Sequence, residues 1–234
     1  MNGSREFWIP ADHSRQVTAA YYVDRLLASR SATWTVLDLG CGVGRSISRF
    51  QSEAGINWVG LDVSGSEEMQ AGIKAPGRIA IYNGTHMPFP DRCFDLIYCK
   101  QVLGHVREPS RLLTDVSRVL KDGGYFAGSV SCLEPYVSQL RWNFTAFGLA
   151  SLFEDAGLSL LEARPSIDAF TLIARAGLGR PAFFNRFWDN ESPLNRLISL
   201  WGKLRHKEAA AVNFAKLLFS GHFCFLARKR GDAV

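Results

Sequence analysis

The spacing of hydrophobic residues changes character several times along the chain. Val17, Ala20, Tyr21, Leu26 and Leu27 recur near every 3.6 residues and predict a helix over 14–29. Trp34–Leu39 is a continuous apolar run rich in strand formers, which predicts a buried strand. Helical spacing returns over 44–54, a second strand is predicted at 57–63, a short helix at 65–73 and a third strand at 78–82. After the turn residues Pro88, Pro90 and Asp91, residues 94–99 read as a fourth strand. Residues 108–120 carry Leu112, Leu113, Val116, Val119 and Leu120 on one side and stop at Lys121-Asp122-Gly123-Gly124. A cation suits a helix C-terminus and glycine suits its cap. Strands follow at 125–130 and 158–163, separated by a helix over 145–156 that Gly157 ends, and a last strand lies at 222–228.

Seven strands alternating with helices predict an α/β fold, a doubly wound and mostly parallel sheet. The stretch 166–220 breaks the rhythm. It is helical, with Leu194, Leu197, Ile198, Trp201 and Leu204 at i, i+3, i+4, i+7 and i+10. No Gly/Ser or Pro linker sets it apart, so the expectation is one domain over 1–234. Residues 1–30 would form a helical cap at its start, and 166–220 a helical insertion before the last strand.

Composition narrows the class. Hydrophobic residues are 47% and charged ones 21%, enough apolar material to offset the entropy of folding. No apolar run reaches the length of a membrane span, and the first residues lack the pattern of a secretory signal. The five cysteines form no Cys-x-x-Cys pair, which favours free thiols in a reducing cytoplasm over a zinc site or a disulfide framework. No metal is expected. The formal charge of +5 is uneven: residues 175–230 hold 11 Lys/Arg against 3 Asp/Glu. That imbalance suits a nucleic acid, a phospholipid surface or a phosphorylated substrate, and equally a solvated face with no partner.

The chemistry concentrates in Val36-Leu37-Asp38-Leu39-Gly40-Cys41-Gly42-Val43-Gly44-Arg45. A strand, a glycine turn and a helix present a ligand at a helix N-terminus, where glycine admits close backbone approach. A dinucleotide turn runs Gly-x-Gly-x-x-Gly; here the spacing is Gly-x-Gly-x-Gly, with Arg45 in place of the third dinucleotide glycine. Asp38 just before the turn would repel a pyrophosphate and favour a cationic amino-acid group.

On these residues the chain resembles the class I S-adenosylmethionine-dependent methyltransferases, and within them methyltransferase type 11. The likeness extends through Gly60-Leu61-Asp62-Val63-Ser64, through the segment from Asn83 to Asp95, and through Ser117-Arg118-Val119-Leu120-Lys121-Asp122-Gly123-Gly124. It covers about residues 30–165 and the last strand. The resemblance implies that Asp38, Gly40 and Gly42 meet the methionine part of S-adenosylmethionine, with Cys41 between the glycines also among the cofactor-binding residues. It assigns Asp62 to the ribose, Val63 to one face of adenine, and Asn83, Gly84 and Thr85 to its edge. Cys99 and Lys100 would offer backbone to the methionine amine. Asn83 departs from the acid usual in the family, although its side-chain oxygen can still accept from the adenine amino group.

The acceptor is less legible. The position after the fourth strand reads Cys99-Lys100-Gln101-Val102, without the Asn/Asp-Pro-Pro-Tyr/Phe that amino-methylation of nucleobases resembles. Pro-Cys, the mark of cytosine C5 methylation, does not occur either. A nucleic acid is therefore not the expected acceptor. His105, where relatives often carry histidine, is the candidate general base, with a positioning role as the alternative. Tyr22, Glu134 and Tyr136 are candidate acceptor contacts, as is Trp201 in the insertion. His86 is not expected to act in catalysis. In the insertion, Phe183, Phe184, Phe187, Trp188 and Trp201 are interleaved with Arg180, Arg186, Arg196, Lys203, Arg205 and Lys207. This pattern fits a lid packed on the catalytic domain or, through 180–207, a peripheral contact with an anionic membrane. The expectation is an O-methyltransferase of a sugar or lipid-linked glycan precursor, cytoplasmic or peripheral at the inner membrane face. A phenolic, quinone or natural-product acceptor is the alternative, and an inactive S-adenosylmethionine-binding scaffold the second.

Overall fold

The computed structural model describes residues 8–51, 53–64, 77–134 and 139–231. Seven strands form one sheet: β1 (Trp34–Leu39), β2 (Ile56–Val63), β3 (Ile79–Tyr82), β4 (Phe94–Lys100), β5 (Leu120–Ser131), β6 (Leu158–Pro165) and β7 (His222–Lys229). Their order is β3-β2-β1-β4-β5-β7-β6. The β3-β2-β1-β4-β5 run is parallel, while β7 inserts antiparallel between β5 and β6. The order reverses between β1 and β4, and a crevice forms at the carboxyl ends of such strands.

Side-chain alternation along the buried strands builds two apolar layers. On one face Leu37, Leu39, Ile97, Phe126 and Phe225 pack with α3 (Pro109–Val119) and α4 (Ala146–Asp155), through Leu112, Val116, Leu149 and Phe153. On the other face Val36, Leu96, Tyr98, Ala127 and Leu226 meet α1 (Ala20–Ser29), through Tyr22, Val23, Leu26 and Leu27, and Phe50 of the short α2 (Ile47–Gln51). Thr145 caps α4 by accepting from the Gly148 N–H at 3.0 Å. The glycine pair does not cap α3 as expected: the helix ends at Val119 with Leu120 already extended, and Gly123, at φ +73°, lies within β5.

Between β6 and β7 lie α5 (Ala169–Gly177), a 3₁₀ turn at Ala182–Asn185, α6 (Arg186–Asp189), α7 (Pro193–Leu204) and α8 (Ala209–Leu218). Ile167, Leu172, Phe184 and Phe187 give this segment a small core of its own.

Two expectations near the start of the chain change. The first helix begins at Ala20 rather than residue 14. Residues 10–17 run instead against the β6–β7 segment, which takes up their polar groups. The buried Gln16 amide donates to the Phe187 carbonyl at 2.8 Å and accepts from Asn195 Nδ2 at 2.7 Å and from the Ser192 N–H and hydroxyl, each at 3.0 Å. Asn213 donates to the carbonyls of Pro10 and His13, and Lys216 to that of Ser14. The second helix shrinks to five residues. The short helix expected at 65–73 lies outside the described residues.

Candidate active site

The carboxyl ends of β1 and β2 build the first half of the site. Gly40 and Gly42 have φ of +72° and +54°, which glycine adopts without strain. A Cβ on Gly40 would overlap the Val102 side chain. Asp38 is buried at the end of β1, and its carboxylate accepts from the Ser46 hydroxyl. Asp62, at the end of β2, is only 7% exposed. Its Oδ2 accepts from the Gly42 N–H at 2.6 Å and its Oδ1 from the Val63 N–H at 2.7 Å. The carboxylate therefore ties the glycine turn to the neighbouring strand and leaves a second lone pair on each oxygen.

These residues open onto a hollow of about 310 Å³, lined by Gly40, Asp62, Val63, Asn83, Gly84 and Thr85 and continued by Val102, His105 and Arg107. Gly84, at φ +83°, lies beside Val63 on its wall: a Cβ there would stand 3.4 Å from Val63 Cγ1. An acceptor carboxylate at one end and an apolar face beside it fit the adenosine of S-adenosylmethionine. Asn83 does not serve as expected. Its Oδ1 accepts from the Thr85 N–H at 3.0 Å, the Thr85 hydroxyl at 2.7 Å and the His86 N–H at 3.3 Å, which closes the turn after β3. The amide nitrogen, a donor, is the group left for a purine edge.

A clamp sets this wall. Asp115 on α3 accepts from the Met87 N–H at 2.5 Å and from Arg118 Nε at 2.6 Å, while Arg118 donates to the carbonyls of Met87 and Phe89. Burial works to raise the Asp115 carboxyl, but the Arg118 and Met87 hydrogen bonds outweigh it and hold it below the ordinary value.

The second half lies on the other side of the β4 terminus. Gln101 adopts φ +58°, uncommon for a residue with a Cβ. Its N–H donates to the Ser129 carbonyl at 3.0 Å and its Nε2 to the Ser129 hydroxyl at 3.1 Å. Ser131 at the end of β5 sits 2.9 Å from Gln101 Oε1 and 2.5 Å from Glu134 Oε2. Glu134 Oε2 is in turn 2.8 Å from Nε2 of His222, the first residue of β7. The Trp188 indole stacks on the His222 ring with centroids 5.2 Å apart. Burial works to raise the Glu134 carboxyl; the hydrogen bond and charge of His222, with help from Ser131 and His105, outweigh it and lower the value. Beside this network a hollow of about 340 Å³ is lined by Lys100, Gln101, Ser129, Ser166, Trp188 and His222, among others.

The structure thus separates the candidates. His105 follows β4 in a 3₁₀ turn on the wall of the first hollow. Cys41 and Cys99 are buried, and burial pushes their thiols up to about 12, which keeps them protonated. Lys100 lines the second hollow rather than the first. Glu134 belongs to the polar network. Tyr22 corrects the expectation: it is fully buried between α1 and the sheet, because its position on the apolar stripe of α1 directs it inward. Trp201 is corrected too. It lies on the exposed side of α7, while Asn195, Ile198 and Gly202 take the packed side. Tyr136 lies outside the described residues. Gln101, Trp188 and His222 had no local motif to mark them; the one usable signal was that the last strand opens on a histidine.

Residues 37–128 match the methyltransferase domain family. Among similar proteins, an O-methyltransferase of Aspergillus sclerotiorum is 33% identical over 116 residues, covering 46% of this chain and 44% of that protein. A probable pectin methyltransferase of Arabidopsis thaliana is 26% identical over 141 residues, covering 57% and 20%. The chain thus spans less than half the length of these relatives. Haemonchus contortus phosphoethanolamine N-methyltransferase 2, solved with S-adenosyl-L-methionine, shares the fold at a TM-score of 0.58 and 16% identity, over 92% of this chain and 52% of that one. The glycine turn after β1 and the acidic residues near the ends of β1 and β2 all lie within residues 37–128, the part of the chain that matches the methyltransferase domain family.

Proposed function

We propose that the protein methylates a hydroxyl oxygen of a sugar, carried on a lipid-linked glycan precursor. The observation that supports this most is the Ser131–Glu134–His222 network beside a hollow lined with hydroxyl, amide and ammonium groups. Bound S-adenosylmethionine supplies a methyl group on a sulfonium sulfur, already a good leaving group. What the chain must add is alignment and a place for the hydroxyl proton. A carboxylate only accepts, so Glu134 makes His222 Nε2 the protonated ring nitrogen and leaves Nδ1 as the base. When that nitrogen takes the hydroxyl proton, the Glu134 charge stabilises the imidazolium. This is the logic of a base held by a third group. Among the described residues no hydrogen bond orients the His105 ring, so His105 is assigned to positioning. The pectin methyltransferase likeness points toward a glycan acceptor.

The test is a methyl-transfer screen with labelled cofactor against nucleotide sugars, polyprenyl-linked glycans and phenols. His222→Asn is expected to lower kcat by about 10²–10⁴-fold, the usual scale of a general base, with S-adenosylhomocysteine affinity retained. His105→Asn should lower kcat by less than about fivefold. The reverse ranking would return the base to His105, and turnover of phenols without turnover of sugars would overturn the acceptor class.

A further inference from the structure

We infer that the helical segment between β6 and β7 docks the protein on an anionic lipid surface. Three of its helices leave apolar stripes facing outward. On α7, Leu197, Leu200, Trp201 and Leu204 fall at i, i+3, i+4 and i+7 and are all exposed, Leu204 at 72%. On α5, Phe170 and Ile173 are exposed, and Leu178 follows at the helix end. On α8, Phe214 and Leu218 are exposed four residues apart. These helices are neighbours: α5 packs on α7, and α7 approaches α8 so closely that a Cβ on Gly202 would strike Val212. A lid would turn the α7 stripe onto the sheet, yet only Asn195, Ile198 and Gly202 of α7 are buried.

Charge decides what covers these stripes. Arg196 and Lys203 flank the α7 stripe on one side, and Arg205 and Lys207 follow it; all four are exposed. A shallow cleft of about 420 Å³ beside them is lined by Arg15, Lys203, His206 and Lys207, with Glu191 in its wall already paired to Lys216. Residues 175–230 hold 11 Lys/Arg against 3 Asp/Glu, so a second copy would bring like charge against like. A nucleic acid would leave the leucines and phenylalanines in water. An anionic membrane meets both features, apolar side chains entering the acyl boundary and cations meeting the headgroups. The inference does not depend on the acceptor class, because lipid binding is read without methyl transfer.

The test is flotation of the purified protein with phosphatidylcholine vesicles and with vesicles containing phosphatidylglycerol, over a salt series. The wild type is expected to float with the anionic vesicles at low salt and to be released as salt rises. Arg196→Gln with Lys203→Gln should weaken partitioning about 30-fold, since each cation near the surface contributes about fivefold. Leu197→Ser with Leu204→Ser should abolish it, while S-adenosylhomocysteine binding stays at the wild-type value and certifies the fold. Failure to float with anionic vesicles at low salt overturns the inference. So does equal binding to neutral vesicles, or a concentration-dependent dimer that the leucine variant dissolves.

Discussion

Asp62 holds two structures together, and replacing it with asparagine separates them. Each carboxylate oxygen accepts one backbone N–H, from Gly42 at 2.6 Å and Val63 at 2.7 Å, in a group only 7% exposed. In Asp62→Asn one oxygen becomes an NH₂, which must face one of those amides donor to donor. A buried N–H left without an acceptor costs about 1–3 kcal/mol. At about 2–4 °C per kcal/mol for a chain of this size, Tm should fall by about 2–12 °C. The two remaining lone pairs are those assigned to the ribose hydroxyls. Loss of one charge-assisted bond costs about 1.5–3 kcal/mol, so the Kd for S-adenosylhomocysteine should rise by about 10- to 150-fold. Differential scanning fluorimetry gives the first quantity and titration calorimetry the second. An unchanged Tm with affinity within twofold of the wild type would refute both roles. A lowered Tm with unchanged affinity would keep the turn and remove the ribose. NAD should not raise Tm in either protein; a clear rise would restore the dinucleotide reading.

Asp115→Asn should destabilise the protein by about 2–3 kcal/mol, the worth of hydrogen bonds to a charged group, because the loop at 87–91 loses its anchor. The Asp115 carboxyl is held below its ordinary 3.8, so its contribution is full above about pH 4 and disappears as pH falls through the folded value. Urea unfolding of both proteins at pH 7 and pH 3 checks this, and a gap that persists undiminished at pH 3 would exclude the ion pair. Gly128→Ala should cost at least about 3 kcal/mol, the top of the usual range for overpacking, because a Cβ there overlaps the Cys99 carbonyl oxygen of β4. Urea unfolding with a loss under 1 kcal/mol would mean that β4 and β5 can part at the site without penalty.

What the sequence could determine alone were features whose signal is local. A buried parallel strand announces itself as an apolar run, and the turn after β1 as glycines, which take φ +72° and +54° without strain. Asp38 and Asp62 are legible for the same reason, since each ends such a strand one or two residues from its turn. The extents of α3 and α4 are legible too, within a residue or two, from the spacing of their apolar residues. The second half of the site has no such signal. Glu134 and His222 stand 88 positions apart and meet because β7 inserts antiparallel beside β5, which places the start of β7 against the end of its neighbour. Gln16 and the β6–β7 segment are more than 170 positions apart, and their five hydrogen bonds are what stop the first helix short of residue 14. Periodicity likewise predicted an apolar stripe on α7 but not the direction it faces. A stripe records only that one side of a helix avoids charge; whether that side meets the sheet, another chain or a membrane depends on which other positions the neighbouring elements pack. Here the close contact of Gly202 with Val212, and the buried Asn195 bonded to Gln16, turn the opposite face inward and leave Leu197, Trp201 and Leu204 outside.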